Sequence, residues 1–309
     1  MTHLSVVVPV YNESSLIEEL ISRIKSNIKL ITEDFEIVIV DDGSHDETWA
    51  FIENEANKEA RIKGIKFSRN FGHHYAITAG LHNSNGDWVV VMDGDLQDRP
   101  EVIPDLYNKA KSGFDVVFVS RQNRPEKLYY RIAQKVFYWT LRKLSGINFD
   151  SSQANFSIIS RKVVEAFKVF PENSRFYGST IKWLGFERSA ILADHGIRHS
   201  GKPSYTIKKR IKLALDIILS FSDRPLKFAI GFGLFMSSVS IFLALWIIYG
   251  TFNWGYEVIG WSSIIVSILF SCGIILTMLG IMGIYLGRIF QEVKGRPLYV
   301  ISKTFNLNK

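Results

Sequence analysis

The chain contains very little cysteine and has no secretory signal pattern at its start. Cys272 is the one cysteine among 309 residues, so no disulfide can form within the chain and nothing indicates an oxidising compartment. The first residues, MTHLSVVVPVYNESS, hold an apolar run without a basic segment before it or a small-residue cleavage site after it. We therefore interpret this run as a first strand.

The sequence also lacks the glycine-rich loops of common nucleotide-binding folds. Neither G-x-x-x-x-G-K-[ST] nor G-x-G-x-x-G follows the first apolar run. This absence removes most of the support for a kinase, an ATPase or a dinucleotide-dependent dehydrogenase. A net charge of +7 nevertheless indicates an anionic partner, and composition leaves nucleotide, nucleic acid and lipid surface open.

Charge is missing from two long runs near the C-terminus. Residues 228–249 and 261–286 carry no Asp, Glu, Lys or Arg over 22 and 26 positions. Because about 20 apolar residues cross a bilayer, both runs predict transmembrane helices. The link between them has no Lys or Arg, whereas cations flank the pair on both sides. The positive-inside rule then predicts that both termini lie in the cytoplasm.

These runs set the predicted domain organisation. Residues 1–203 would form a cytoplasmic catalytic domain, and residues 288–309 would form a cytoplasmic tail after the spans in 228–287. The segment 204–227 alternates cations with apolar residues at helical spacing. It predicts an amphipathic juxtamembrane helix, either lying among lipid headgroups or simply solvated beside the first span.

Small residues recur within both predicted spans. Gly231, Gly233, Gly280, Gly283 and Gly287 would allow helices to approach closely. Two arrangements stay open at this point, a homo-oligomer packed through the spans and a hairpin packed within one chain.

Strand-like runs alternate with helix-compatible segments in the first 120 residues. The strand-like runs, rich in β-branched residues, are 4–10, 36–40, 62–67, 88–92 and 115–120. Helix-compatible segments at 14–30 and 46–60 separate the first three of them. This alternation predicts an α/β domain with a mainly parallel sheet, in which ligands bind beyond the carboxyl ends of the strands.

Polar clusters stand where three of the predicted strands end. They are PVYNE at 9–13, DDGS at 41–44 and DGDLQD at 93–98. DDGS by itself is equally compatible with a turn and helix cap, but three clusters on one sheet edge predict a single site. Asp93 and Asp95, two positions apart, would converge on Mg²⁺ or Mn²⁺ shared with phosphate oxygens of a substrate. Such a metal neutralises a departing diphosphate.

Four segments, in this order and spacing, resemble the family 2 glycosyltransferases, and in particular the polyprenyl-phosphate sugar transferases. The segments are VVVPVYNE, VDDGS, FSRNFGHHYAITAG and MDGDLQDRPE. The similarity covers the whole chain, since bacterial members of that group also have two C-terminal membrane helices and an ending like EVKGRPLYVI. It implies a GT-A type nucleotide-sugar-binding domain, a divalent metal, a nucleotide-sugar donor and a polyprenyl-phosphate acceptor at the bilayer, with no nucleic acid partner.

The resemblance also implies roles for matching residues. The residues implied to hold base and ribose are Pro9, Tyr11, Glu13 and Asp42. Gln97 would join Asp93 and Asp95 at the metal and diphosphate, and Arg121 would approach the donor or acceptor phosphate. Arg175, Arg198 and Lys202 would receive the acceptor phosphate, although each alone is more typical of a solvated surface charge.

Three positions depart from the family pattern. Asn155 stands where many relatives carry an acid proposed as the catalytic base, His73 replaces a lysine, and Ser204 replaces another. Asn155 cannot accept a proton, but a lipid monophosphate with a second pKa near 6 is already anionic and needs no base. Asn155 could still orient the acceptor or the sugar. Since adjacent side chains rarely converge on one ion, we expect His73 and His74 to serve a polar loop or contact substrate.

The predicted function is therefore metal-dependent, inverting transfer of a sugar from a nucleotide sugar to polyprenyl phosphate. It would take place at the cytoplasmic face of the inner membrane and supply a lipid-linked sugar for surface polysaccharide. One alternative is a membrane glycosyltransferase acting on a sugar hydroxyl, which the absence of Q-x-x-R-W and of further spans disfavours. Another is an inactive membrane-anchored binding protein, favoured by Asn155 and disfavoured by the intact Asp93 and Asp95.

Overall fold

A computed structural model describes residues 3–121, 153–170, 172, 176–193, 224–254 and 260–307. Its contacts divide the chain into two compact units. In the described part, the first unit comprises the residues up to 193 together with 296–307, and the second comprises 224–254 and 260–295.

The first unit contains one sheet of eight strands within the described residues. The strands are β1 Leu4–Val10, β2 Phe35–Asp41, β3 Ile62–Phe67, β4 Trp88–Val91, β5 Val116–Arg121, β6 Gln153–Ser160, β7 Arg188–Ala193 and β8 Ile301–Phe305. Their order across the sheet is β7-β5-β6-β4-β1-β2-β3-β8. The β1–β2, β1–β4, β2–β3 and β5–β7 pairs are parallel, while β6 and β8 run antiparallel to their neighbours.

Helices cover both faces of this sheet. They are α1 Ile17–Ile28, α2 Thr48–Lys58, α3 His73–His82, α4 Ile103–Lys111, α5 Arg161–Lys168 and α6 Tyr177–Trp183. In α1 the buried residues Ile17, Leu20, Ile21, Ile24 and Ile28 recur at helical spacing, so one apolar stripe faces the core. β1 is buried along its whole length, with Val6 and Val7 in separate apolar clusters on opposite faces. Such double coverage explains why its sequence is apolar at every position except Ser5.

A buried carboxylate joins the first three strands near their amino ends. Glu36 on β2 accepts hydrogen bonds from Ser5 Oγ at 2.6 Å and from the Asn85 amide at 2.5 Å. Lys63 Nζ on β3 lies 2.5 Å from its other oxygen. Burial alone would raise the pKa of Glu36, but these partners outweigh burial and lower the pKa. The ion pair is therefore fully hydrogen-bonded at the carboxylate.

The C-terminal segment returns to the sheet and lengthens it by one strand. β8 pairs antiparallel with β3, and the Tyr299 ring stacks on Phe67 with centroids 4.9 Å apart. The Asn306 amide donates to the carbonyls of Ala56 and Ile62. Part of the segment predicted as a tail is thus a structural element of the first unit.

The predicted strands at the start of the chain agree with the structure to within one residue. The strand predicted at 62–67 is β3 without change, and that at 36–40 gains one residue at each end. The sequence did not predict β6, β7 or β8. β7 and β8 lie at the two edges of the sheet, where half-exposed strands lack a long apolar run.

The second unit contains two long helices, α7 Arg224–Trp254 and α8 Trp261–Val293. Each includes a stretch long and apolar enough to cross a membrane, Leu226–Leu243 and Phe270–Val293. Apolar side chains such as Phe235 and Leu276 are exposed on them, which is compatible with a lipid surrounding. Most of the predicted juxtamembrane segment 204–227 lies outside the described residues.

The glycines of these helices are not packed against a neighbouring helix. A Cβ added at Gly231, Gly233, Gly280, Gly283 or Gly287 would meet no atom of the described chain within 4 Å. Close helix approach at these glycines within one chain is therefore not a feature of the described structure.

Candidate active site

The polar clusters that follow β1, β2 and β4 surround one cavity of about 170 Å³. Its lining residues are Pro9, Val10, Tyr11, Glu13, Asp42, His73, Asp93, Gly94 and Asp95. The cavity lies at the carboxyl ends of the parallel strands, where such sheets bind ligands. Ligand pockets usually measure roughly 300–1,000 Å³, so the described residues enclose one part of a ligand of nucleotide-sugar size.

Hydrogen bonds lock the loop after β1 onto the loop after β2. Asn12 adopts a left-handed conformation with φ 56°, its amide donates to Ser44 Oγ at 2.9 Å, and its Oδ1 accepts the His45 amide at 3.0 Å. The Glu13 amide donates to Thr48 Oγ1 at 3.0 Å. Asparagine tolerates this backbone conformation better than most residues. The turn consequently holds Tyr11 and Glu13 at the cavity wall.

Asp42 lines the cavity, and its carboxylate also organises the loop before α3. Its oxygens accept the Phe71 amide at 2.8 Å and the Gly72 amide at 3.0 Å. Burial raises the pKa of Asp42, and the two amides offset only part of that rise. Gly43 beside it has φ +74°, and a Cβ there would lie 2.3 Å from the Arg69 carbonyl carbon. Glycine is required for the two loops to approach this closely.

Hydrogen bonds among its own residues hold the acidic turn after β4, residues 93–98, in place. Asp95 Oδ1 accepts the Gln97 amide at 3.1 Å, and Asp98 Oδ2 accepts the Asp93 amide at 3.1 Å. Leu96 between them is buried and has φ 59°, a conformation that costs a non-glycine residue on the order of 1–2 kcal/mol. Burial of its side chain holds the strained turn, which keeps Asp93 and Asp95 at the cavity.

The two carboxylates fit a hard divalent cation. Oxygen donors are the ligands that Mg²⁺ and Mn²⁺ prefer, and Mg²⁺ commonly takes one or two carboxylates together with substrate phosphates and water. Among the described residues no group of three or more His, Cys, Asp or Glu side chains is placed to hold an ion alone. The arrangement therefore suits a metal that is completed by a phosphate-bearing ligand.

His73 begins α3 and reaches into this acidic cavity. Its Nε2 lies 3.2 Å from Asp93 Oδ1 and 3.3 Å from Asn155 Nδ2 on β6. Burial lowers the pKa of the imidazole, but Asp93, with Asp42 and Asp98 farther away, outweighs burial, and the net pKa is raised. Sequence reasoning singled out positions 73 and 155 separately, and it did not predict that they touch.

His74 faces a different set of partners. Its Nδ1 accepts the Tyr177 amide at 3.4 Å, and its ring contacts Phe176 edge to face at 5.3 Å. Burial, with the neighbouring His73, lowers the pKa of His74 to about 4. The two adjacent imidazoles thus serve different contacts, and His74 is a neutral packing residue at physiological pH.

The remaining predicted site residues fall into two groups. Gln97 lies in the acidic turn, Asn155 lies on β6 beside His73, and Arg121 is the last residue of β5, paired in register with Ala193. Arg175, Arg198 and Lys202 lie outside the described residues. Their implied roles at the acceptor phosphate stay predictions.

Comparison with known proteins identifies the family. The profile of Glycosyl transferase family 2 matches residues 5–167, more than half of the chain and all of the residues that line the cavity. The chain belongs to glycosyl transferase family 2. This family 2 glycosyltransferase therefore carries its cavity, with Asp93 and Asp95, and also Asn155 beside His73, inside the part of the sequence that defines the family.

Relatives match nearly the full length of this glycosyltransferase. The glycosyltransferase YkcC of Bacillus subtilis (strain 168) is 36% identical over 304 residues, covering 98% of this chain and 94% of the relative. The bactoprenol glucosyl transferase of Shigella phage SfII is 36% identical over 306 residues and 99% of each chain. Both alignments extend through the long apolar helices as well as the cavity.

A solved structure supports the fold. Glucosyl-3-phosphoglycerate synthase of Mycobacterium tuberculosis, in complex with Mn²⁺, uridine diphosphate and phosphoglyceric acid, has a TM-score of 0.52. It is 20% identical and the alignment covers 71% of this chain and 76% of that one. The likeness confirms the predicted GT-A type architecture with a mainly parallel sheet.

Proposed function

We propose that this glycosyltransferase transfers a sugar from a nucleotide sugar to polyprenyl phosphate at the cytoplasmic face of the membrane, with inversion at the anomeric carbon. The observation that carries the proposal is the pair Asp93 and Asp95 in a cavity whose other wall is formed by Pro9, Tyr11 and Asp42. The long apolar helices and the full-length similarity to a bactoprenol glucosyl transferase favour a lipid acceptor.

The donor would lie across the cavity with its base and ribose against Pro9, Tyr11, Glu13 and Asp42. Asp93 and Asp95 would hold Mg²⁺ or Mn²⁺, and Gln97 would contact the diphosphate. When bound, the metal would neutralise the negative charge that develops on the leaving diphosphate. The mycobacterial synthase is solved with Mn²⁺ and uridine diphosphate, although at 20% identity that likeness concerns the fold alone.

A phosphate oxygen of the lipid would attack the anomeric carbon from the side opposite the nucleoside diphosphate. The new bond to the lipid phosphate forms as the bond to the diphosphate oxygen breaks, and the diphosphate leaves with that electron pair. No general base is required because a phosphate monoester, with a second pKa near 6, is largely dianionic at neutral pH. Asn155 would then orient the sugar or the acceptor through hydrogen bonds rather than accept a proton.

The acceptor end would be recognised by cations. Arg121 at the end of β5 would approach one of the phosphates. Arg175, Arg198 and Lys202, outside the described residues, would receive the acceptor phosphate near the membrane. Positioning of the two reactants and neutralisation of charge would supply most of the rate enhancement. Residues 1–203 would form the catalytic domain on the cytoplasmic side, with both termini there.

Transfer of radiolabel from a panel of nucleotide sugars to undecaprenyl phosphate tests the reaction. The full chain in detergent is assayed with Mg²⁺, with Mn²⁺ and with chelator. We expect metal-dependent label in the lipid phase, lost in Asp95→Asn and kept in Asp105→Asn, an exposed acid on α4. If no donor labels the lipid although nucleotide binds, an inactive binding protein becomes the better description. Label on a sugar hydroxyl instead of the lipid would favour a polysaccharide-synthesising enzyme.

Membrane orientation has its own test, which the single cysteine makes simple. In a Cys272→Ser background, cysteines introduced at Tyr256, between the spans, and at Lys309 are labelled in spheroplasts with a membrane-impermeant maleimide. The proposal predicts labelling at position 256 and protection at position 309. The reverse pattern would place the catalytic domain outside the cytoplasm.

A further inference from the structure

His73 and Asn155 form a direct contact although 82 positions separate them. The same imidazole nitrogen also lies 3.2 Å from Asp93 Oδ1. Resting on the proposed function, we propose that His73 is a positioning residue for the metal-diphosphate end of the donor site. Its imidazole connects Asn155 with the carboxylate of Asp93 and fixes how that carboxylate is presented.

The backbone that carries His73 is held from both sides. Gly72 before it has φ +119° and donates its amide to Asp42, so the loop entering α3 is fixed at the cavity. After it, His74 accepts the Tyr177 amide, and a Cβ at Gly80 would come within 2.2 Å of the Val7 side chain. α3 is therefore packed tightly against β1 and α6, which leaves its first residue little freedom to move away from Asp93.

The chemistry of one imidazole nitrogen makes the arrangements of His73, Asn155 and Asp93 depend on each other. Nε2 has a single in-plane site, which is either an N–H donor or a lone-pair acceptor. If its N–H points toward Asp93, the Asn155 amide must turn its carbonyl oxygen toward the ring, because two facing N–H donors repel each other. If it accepts from Asn155 Nδ2, which lies 3.3 Å away, its lone pair leaves no hydrogen bond between the imidazole and Asp93. The orientation of Asn155 and the character of the 3.2 Å contact with Asp93 are therefore linked through one atom.

The link matters because Asp93 is a proposed metal ligand. Mg²⁺ and ions like it demand a near-ideal octahedral set of oxygens, so the direction of a carboxylate strongly affects affinity. Groups that orient a ligand typically change metal affinity or activity by about 10–100-fold when they are removed. His73 and Asn155 would act in this way on Asp93, without contacting the metal themselves.

The test measures Mn²⁺ binding by electron paramagnetic resonance in the presence of UDP or GDP, using the full chain in detergent. His73→Ala should weaken Mn²⁺ binding about tenfold or more. His73→Gln, whose amide nitrogen can occupy the Nε2 position, should bind Mn²⁺ with an affinity within about threefold of wild type, whereas the shorter His73→Asn should not. His3→Ala removes an imidazole that lies 3.5 Å from a carboxylate, Asp87, at the amino end of β1, so it is the matched control and should leave binding unchanged.

A double-mutant cycle decides whether the residues act together. Asn155→Ala should weaken Mn²⁺ binding in the wild-type background and have little further effect in His73→Ala, a coupling of about tenfold. Thermal unfolding midpoints identify any variant that has lost its fold. If His73→Ala has lost its fold, Mn²⁺ binding is compared between His73→Gln and His73→Asn, whose side chains differ by one methylene group. The proposal would be overturned if the losses of Mn²⁺ affinity in the two single variants multiply in the double variant. It would also be overturned if His73→Ala binds Mn²⁺ like wild type.

The outcomes also separate this inference from the proposed function. Coupled losses of Mn²⁺ binding in a protein that transfers no sugar to polyprenyl phosphate would support the role of His73 while the proposed reaction fails. Normal sugar transfer, together with independent effects of the His73 and Asn155 variants on Mn²⁺ binding, would support the proposed reaction and overturn the role of His73. A wild-type protein that binds no Mn²⁺ with either nucleotide would overturn the metal site and the positioning role together.

Discussion

Acidification should destabilise the first unit through His74. Its pKa is about 4 in the folded chain, whereas an unfolded histidine has a pKa near 6.5. Between these values the unfolded chain binds the proton and the folded chain does not. The free energy of unfolding therefore falls as pH drops through the window from about 6.5 to about 4, and this contribution is constant above it.

The size of the effect follows from the two pKa values. Lowering pH from 7.5 to 5 should cost about 2 kcal/mol, because the unfolded imidazole is then nearly all protonated and the folded one nearly all neutral. His74 is partly exposed, so water softens the penalty and this figure is an upper bound. For a unit of about 200 residues it corresponds to a fall of up to about 4–8 °C in the unfolding midpoint.

Thermal unfolding in detergent, followed by tryptophan fluorescence at pH 7.5 and pH 5, measures this fall. His74→Asn is the matched variant, since its Oδ1 can accept the Tyr177 amide as Nδ1 does and it does not titrate. Other groups titrate in both proteins, so the difference between the two falls reports on His74 together with its interaction with His73. Equal falls, or a larger fall in the variant, would refute the assignment of an imidazole that stays neutral at pH 5.

Three further changes should reduce the stability of the first unit. Glu36→Gln should cost about 3–5 kcal/mol by denaturant unfolding, because it leaves the charged partner of a buried pair unmatched. Gly80→Ala should cost about 1–3 kcal/mol in the same assay, since the new methyl would lie 2.2 Å from the Val7 side chain. Tyr299→Ala removes the stack of a partly buried ring on Phe67 and should cost about 1–3 kcal/mol, seen also as faster proteolysis near β8.

Each of these changes has a control of the same chemistry. Glu101→Gln breaks an exposed pair with Arg23 and should cost less than about 1 kcal/mol. Gly178→Ala, where the nearest atom to a new Cβ is 3.8 Å away, should be neutral or slightly stabilising within its helix. Tyr249→Ala on α7 should leave the first unit unchanged. A Glu36→Gln loss no larger than that of Glu101→Gln would mean that the buried pair contributes nothing beyond a surface pair.

Local patterns were sufficient for several elements. Apolar runs such as 4–10 and 88–92 predict strands covered on both faces, because only a doubly covered strand tolerates apolar residues at nearly every position. The uncharged runs near the C-terminus predict long apolar helices for a similar reason, since their composition excludes an exposed position in water. The acidic turn at 93–98 could be located because it directly follows such a strand.

Contacts between distant segments were decided by the tertiary structure alone. The sequence does not specify that β6 inserts between β5 and β4, or that β8 pairs with β3 across more than 200 positions. These short strands are stabilised by partners elsewhere in the chain, so their own residues carry little periodic signal.

The same distinction applies inside the site. The sequence by itself determined that carboxylates gather where parallel strands end, because strand direction and sheet geometry bring those ends together. Only the tertiary structure decided that His73 meets both Asp93 and Asn155, and that Asp42 binds the amides of Phe71 and Gly72. A hydrogen bond depends on positions within a few tenths of an ångström, and those positions follow from the packing of α3 against the sheet.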